Sequence, residues 1–357
     1  MSIDTVVARV NKKLGEGTLV KGMDLKDHII PRVTTGSIAL DLVLGGGWPM
    51  NCWCEIQGEP SNGKSVIAYK TVAANQLINR DFHCLWIASE QFVPEWAITC
   101  GVDLARVTVA NTQVMEDAYQ IAIDMIDGRL IDAVVIDSLS ALVPTEEDDK
   151  SMDDWQVALG ARITGKFMRK SGAVQRRSLT QPDRNCLGLI ISQWREKVGI
   201  QYGDNRVTPY GRAKEFMYMV RLEVRRDEWL GSDKDRVGLT FKVRATKNKT
   251  APPQKMAVLD FYWEDTTNHK AGSFDTPKQL ANSGIDLEIV EQAGSVYRFG
   301  GHMWRGKEAF FDGISTDAAL QRALDQQIRQ HVLNLPTPPI DIDAAEVPRR
   351  KRTLKRA

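Results

Sequence analysis

Apolar residues fall at Ile3, Val6, Val7, Val10 and Leu14, with Arg9, Lys12 and Lys13 off that stripe, which predicts a short amphipathic helix over 3–14. Such a helix needs a surface to cover its stripe, on its own domain or on a neighbouring subunit. Further on the pattern changes to unbroken apolar runs: 52–57, 83–88, 133–137 and 187–193 read as strands buried on both faces. Helical periodicity fits 113–128 and 155–175 between them. Strands separated by helices predict an α/β fold around a mainly parallel sheet covered on both sides. Residues 219–226 and 238–246 alternate apolar and polar positions instead, predicting an antiparallel extension at the sheet edge.

The pattern divides the chain into an N-terminal helix and strand segment (1–32), a core (33–270), a small α+β unit (271–334) and a tail (335–357). The small unit has helix-like stretches at 276–283 and 317–333 around a strand at 295–299, and its roughly 60 residues lie near the lower limit for independent folding. The tail begins Pro336-Thr337-Pro338-Pro339, turns acidic, and ends with six basic residues among its last nine. That composition predicts disorder.

Between the first core strand and a helix running on from Val66 stand Gly58, Glu59, Pro60, Ser61, Asn62, Gly63, Lys64 and Ser65. This G-x-x-x-x-G-K-S spacing, in a strand–loop–helix setting, is a phosphate-binding loop. Glycines let several backbone N–H groups point at one anion, and the helix N-terminus adds its positive end. Lys64 supplies a mobile positive charge to the phosphates and the Ser65 hydroxyl is suited to Mg²⁺.

Composition adds limits. The chain's 357 residues carry 47 basic and 46 acidic side chains, a net charge of +1, so the overall field names no partner. Locally, acid gathers at Glu146–Asp149 and at Asp153 and Asp154, and base at Lys166, Arg169, Lys170, Arg176 and Arg177. Five cysteines without metal-ligand spacing predict buried, reduced thiols. No stretch approaches 18 uninterrupted apolar residues and no signal pattern opens the chain, so a cytoplasmic, DNA-associated location is expected and no membrane partner. The basic residues of the tail are expected to attract duplex DNA non-specifically, and a nuclear address is the alternative, because such runs serve both uses.

Asp137 closes the run Val134-Val135-Ile136 and is placed to hold the Mg²⁺ shell with Ser65. Glu90 follows the strand ending at Ala88, which sets it at the same sheet edge, where it can orient and deprotonate water. Gln193 ends the next core strand and can report on the terminal phosphate. A strand-end cap for Asp137, and ordinary surface positions for Glu90 and Gln193, are the bland readings. Residues 194–212 hold four glycine or proline breaks, four basic residues and three aromatics, a composition that suits a mobile nucleic-acid loop or a plain surface loop.

Taken in order, Thr34–Asp41, the phosphate loop, Glu90, Val135–Pro144, Ala161-Arg162 through Phe167–Lys170, Ser192–Arg195, Val220–Arg226, Lys247-Asn248-Lys249 and Val290–Gly294 make the chain resemble the bacterial RecA recombinases and their bacteriophage relatives over nearly its whole length. The resemblance implies an ATP- and Mg²⁺-dependent ATPase that forms a helical filament on single-stranded DNA and exchanges strands with a homologous duplex. It implies that Glu90 activates water, that Gln193 couples the terminal phosphate to a DNA loop, and that Trp96 stacks near adenine. Lys247 and Lys249 would reach the nucleotide across the subunit interface, with Phe216 at that interface. Two DNA loops are implied, 147–158 and 194–212, with Arg162, Arg169, Arg195, Lys197 and Arg212 on phosphates and Val198 and Ile200 wedged between bases. The unit 271–334 would be a small C-terminal DNA-binding domain, and single-strand-binding or mediator proteins would be further partners.

The chain departs from the family at four places. Ala88 stands where an acidic residue is usual, and Glu215 where a lysine precedes Phe216. Residues between Gln175 and Asn185 form a longer basic, polar insertion, and the tail is basic rather than acidic. These departures point to a bacteriophage-encoded relative. A ring helicase of the same core fold and a non-catalytic DNA-coating or mediator protein are the competing functions.

Overall fold

The computed structural model of the chain describes residues 2–15, 18–25, 30–145, 159–177, 185–196, 206–207, 209–210 and 213–333. Helix α1 (Ile3–Leu14) forms where the apolar stripe predicts it: the Ser2 hydroxyl accepts from the Thr5 N–H, Asp4 sits in the first turn and Lys12 and Lys13 in the last. These charges complement the helix dipole. None of its residues is buried, and Ile3 and Leu14 are 69% and 64% exposed. The described residues of its own chain therefore leave Ile3 and Leu14 exposed and Val6, Val7 and Val10 only half-buried, so the stripe is not fully covered.

After the short strand β1 (Arg32–Val33), helix α2 (Ile38–Leu44) and strand β2 (Trp48–Pro49), the core alternates as expected. It runs through β3 (Cys52–Gly58), α3 (Lys64–Ile78), β4 (Cys84–Ala88), α4 (Pro94–Thr99), β5 (Val107–Ala110), α5 (Met115–Asp127), β6 (Ala133–Asp137), α6 (Leu159–Arg177) and β7 (Leu187–Gln193). Two short strands, β8 (Arg195–Glu196) and β9 (Arg206–Val207), pair with each other. Helix α7 (Ala213–Met217) and strands β10 (Val220–Ser232), β11 (Asp235–Asn248), β12 (Met256–Tyr262) and β13 (Ser273–Phe274) complete the core.

One nine-stranded sheet results, in the order β13-β12-β11-β10-β3-β7-β6-β4-β5. From β10 to β5 all neighbours are parallel, and β10 to β13 pair antiparallel. The alternating strand corrects the sequence reading in one respect: β10 is an interior strand lying parallel to β3, and only β11 to β13 extend the sheet antiparallel. Strands with mixed alternation gave no warning of that, because β10 switches from buried positions at Val220–Val224 to exposed ones beyond. Side chains alternate between two cores. Cys54, Ile56, Trp86 and Val135 pack under α3, while Trp53, Leu85, Ile87 and Val134 face α5 and α6. All five cysteines are free thiols, four of them buried. Among the described residues no helix is long and apolar enough to cross a membrane.

Beyond β13 come α8 (Thr276–Asp286), β14 (Glu291–Ala293), β15 (Val296–Phe299), β16 (His302–Arg305), α9 (Lys307–Thr316) and α10 (Ala318–Ile328). The three strands form their own antiparallel sheet. Leu280, Tyr297, Phe299, Phe310, Ile314 and Leu324 form a separate core, which Ile38 of α2 joins. Burying Ile38 there contributes about 1.5–3 kcal/mol, and the Ser37 hydroxyl donates to Gln279 Oε1 at 2.6 Å beside it. Strand β13 belongs to the large sheet, although the change in composition at 271 precedes it.

Candidate functional site

Strand β3 delivers the phosphate loop and α3 receives it. Gly63 takes φ +82 at the head of α3, and a Cβ there would lie 2.3 Å from the Phe241 ring. At Gly58 a Cβ would meet the Val224 carbonyl oxygen at 2.4 Å. Both positions require glycine for the loop to close against β10 and β11.

The parallel sheet then gathers the predicted residues at its carboxyl edge: Glu90 just past β4, Asp137 at the end of β6 and Gln193 at the end of β7. A cavity of about 520 Å³ joins them to Ser61, Lys64 and Ser65. Trp96 lies in its wall with Phe261, the two rings edge-on at 6.0 Å. Sequence reasoning missed a second side of that wall, made of Trp229, Leu239, Phe241, Phe261 and Trp263. These come from the antiparallel strands and the residue after them; the aromatic content of 261–263 was the available signal.

Lys64 is buried and its ammonium donates to the Glu59 carbonyl at 2.5 Å. Burial lowers its pKa, while Asp137, Glu90 and Glu59 pull the other way. Burial pushes the Asp137 carboxyl up to about 6; the like charge of Glu90 adds to this, and the Ser65 hydroxyl and Lys64 oppose it. Ala88 places a buried methyl in the core under α3, and among the described residues Asp137 and Glu90 are the carboxylates lining this cavity.

Glu90 is held by two donors. The Ser138 hydroxyl donates to its Oε1 at 2.5 Å and Gln193 Nε2 to the same oxygen at 2.9 Å. Behind them, Gln193 N–H donates to Ser140 Oγ at 2.9 Å, and the Ser89 hydroxyl to the Ser138 carbonyl at 2.6 Å. Gln113 Nε2 donates to the Ser89 carbonyl at 3.1 Å. This orienting layer was not foreseen, because Gln113 and Ser140 reach the site only through the pairing of non-neighbouring segments.

A second cluster lies apart from the cavity. Phe216 on α7 is 74% exposed. Lys247 reaches the carbonyls of Glu215 and Phe216, the latter at 3.5 Å, and Lys249 donates to the Phe216 carbonyl at 3.1 Å. Burial lowers the Lys247 pKa, and the like charges of Lys249 and Arg221 lower it further. The sheet thus brings these three residues together and keeps them off the cavity of their own chain. Arg162 and Arg169 are exposed on α6 beside Lys166 and Lys170, over a second cavity of about 420 Å³ between α5 and α6. Arg195 has its backbone in β8; Lys197, Val198, Ile200 and Arg212 lie outside the described residues, as do the loop 147–158, residues 178–184 of the insertion between Gln175 and Asn185, and the tail.

A family model described as the RecA N-terminal domain matches residues 1–268. Protein RecA of Staphylococcus carnosus (strain TM300) is 32% identical over 333 residues, covering 92% of this chain and 89% of that protein. Protein RecA of Staphylococcus aureus (strain JH9) is 32% identical over 332 residues, covering 92% of this chain and 91% of its own.

Proposed function

The chain belongs to the RecA family, and from that premise we propose how its residues carry out the family's reaction. It is an ATP-dependent DNA recombinase, an enzyme whose ATP hydrolysis depends on DNA. The observation that carries the residue roles is the gathering of Lys64, Ser65, Asp137, Glu90 and Gln193 at one sheet edge, with Glu90 already oriented by two donors.

Backbone N–H groups of the loop after Pro60, residues 61–65, and the Lys64 ammonium bind the β and γ phosphates, and Trp96 stacks near the adenine. Ser65 and Asp137 fit Mg²⁺: their hydroxyl and carboxylate are already partnered, and Asp137 is a half-buried carboxylate whose ionisation a cation would favour. Bound there, Mg²⁺ supplies charge neutralisation to the phosphate oxygens. Glu90 orients a water molecule and takes its proton. Gln193 leaves Glu90 for the terminal phosphate, which ties the state of the nucleotide to β8 and the loop beyond. That exchange frees the Glu90 Oε1 lone pair for water, so phosphate binding prepares the base.

Lys247 and Lys249 reach a neighbouring subunit's nucleotide, as an arginine finger supplied in trans would, with Phe216 at the same interface. The incompletely covered stripe of α1 supports a filament contact of the same kind. Arg162, Arg169, Arg195, Lys197 and Arg212 bind phosphates of single-stranded DNA, with Val198 and Ile200 between its bases. A homologous duplex is the second substrate, single-strand-binding or mediator proteins are accessory partners, and the protein works on DNA in the cytoplasm. The fully assembled Glu90 site favours this over a non-catalytic coat.

The test is ATP turnover with and without single-stranded DNA, together with electron microscopy. Turnover stimulated by DNA and helical filaments are expected; rings, or turnover indifferent to DNA, would refute the reading. Lys64→Ala is expected to abolish nucleotide-dependent assembly, checked in the same micrographs.

A further inference from the structure

Lys214 lies in a five-residue surface helix two positions before the exposed Phe216, yet its side chain is wholly buried. So is that of Glu55, in the middle of β3. Glu55 Oε1 accepts from Lys214 Nζ at 2.9 Å and from the Ser192 hydroxyl at 2.8 Å, and Oε2 accepts from Arg221 Nε at 2.6 Å. Arg221 also approaches Glu215 at 3.6 Å, and both cations stand over the Tyr218 ring, at 5.6 and 5.7 Å. Burial works against the charge on Glu55, but Lys214 and Arg221 outweigh it and hold the carboxyl below its usual range.

One carboxylate thus joins three segments that the reaction uses. Glu55 precedes Gly58 of the phosphate loop by three residues on β3. Ser192 immediately precedes Gln193 on β7. Lys214 and Arg221 flank Phe216, and Glu215, between them, also receives Lys247 through its carbonyl. A purely structural need would be met as well by apolar packing, since burying an ion pair is seldom better than a hydrophobic replacement of the same volume. Charge at this point specifies a geometry, in which α7 cannot shift without moving Glu55 and Ser192.

We propose that Glu55 and Lys214 are positioning residues which couple the Phe216 segment to Gln193 and the phosphate loop, so that docking of a neighbour is transmitted to the site of hydrolysis. The inference rests on the recombinase reading and assigns a regulatory path within it.

The experiment compares the full chain with Lys214→Met, Lys214→Arg and the double variant Glu55→Gln/Lys214→Met, the last of which removes both charges of the Glu55–Lys214 pair and leaves Arg221 to Glu215. Each is assayed for binding of a fluorescent ATP analogue without DNA, for thermal melting, and for ATP turnover on single-stranded DNA as a function of ATP concentration. The double variant is expected to bind the analogue as the parent does, while DNA stimulation falls ~10-fold and the Hill coefficient drops towards ~1. Lys214→Arg is expected to retain stimulation and Lys214→Met to lose it. Unchanged stimulation and cooperativity in a folded double variant would overturn the proposal. So would a parallel loss of binding and melting temperature, which marks a merely structural role. A parent chain without DNA stimulation would instead refute the recombinase reading itself, and the coupling with it.

Discussion

Strand β3 carries two electrostatic environments three residues apart. At Glu55 opposite charges close on one another, and the carboxyl is held below its usual range by Lys214 and Arg221 against the cost of burial. At the phosphate loop the nearby charges are poorly matched: Lys64 donates to a backbone carbonyl, and burial together with Glu90 drives Asp137 up to about 6. Sites that bind charged ligands concentrate such mismatches, whereas structural ion clusters resolve them. The same strand therefore serves as anchor at one point and as open receptor at the next. Changes that strand a charge at the first should cost stability as well as coupling, and changes at the second should cost activity.

The largest effect is expected at the receptor. Glu90→Gln keeps the size and one acceptor but cannot take a proton, so turnover on DNA should fall ~10²–10⁴-fold while affinity for ATP is retained. Steady-state kinetics with a binding titration separates the two, and a loss of less than ~10-fold would remove Glu90 from the proton transfer. Next comes the anchor. Glu55→Ala leaves Lys214 and Arg221 without their shared carboxylate, and an unfolding free energy lower by about 3–5 kcal/mol is expected from urea titration. Equal sensitivity of stability to both substitutions would erase the contrast.

Much of the receptor was legible because its parts are local. The G-x-x-x-x-G-K-S spacing fixes a loop by itself, and the apolar runs ending at Asp137 and Gln193 give strands whose carboxyl ends must share an edge in a parallel sheet. Helix α1 was legible to the residue, since its cap, stripe and terminal charges are all contiguous. The anchor was not legible. Lys214 carries no local signal and Glu55 sits unmarked inside a run that reads as apolar; only the pairing of β3 with β10 and β7 brings them together. The same holds for Trp229 and Trp263, whose place in the cavity wall depends on the long β10–β11 hairpin and the strand beside it. Strand β16 and helix α9 were missed because His302–Arg305 is short and mostly exposed, so its pattern is weak.

The smallest effect reverses the usual sign and tests the contrast most sharply. Asp137 has a folded pKa near 6 against an ordinary 3.8, so its ionised form disfavours the fold when no cation is bound. Below the unfolded value both states hold the proton and nothing is lost. As pH rises through the interval up to about 6 the unfolded chain releases its proton first, and stability declines until the folded carboxyl has ionised as well. Asp137→Asn should therefore be more stable than the parent by about 1–3 kcal/mol in magnesium-free buffer at pH 8, with the gain vanishing near pH 4 and turnover lost throughout. Added Mg²⁺ should narrow the difference by stabilising only the parent. Urea titrations at the two pH values measure it, and a variant less stable than the parent at pH 8 would place Asp137 with Glu55 among the anchoring groups.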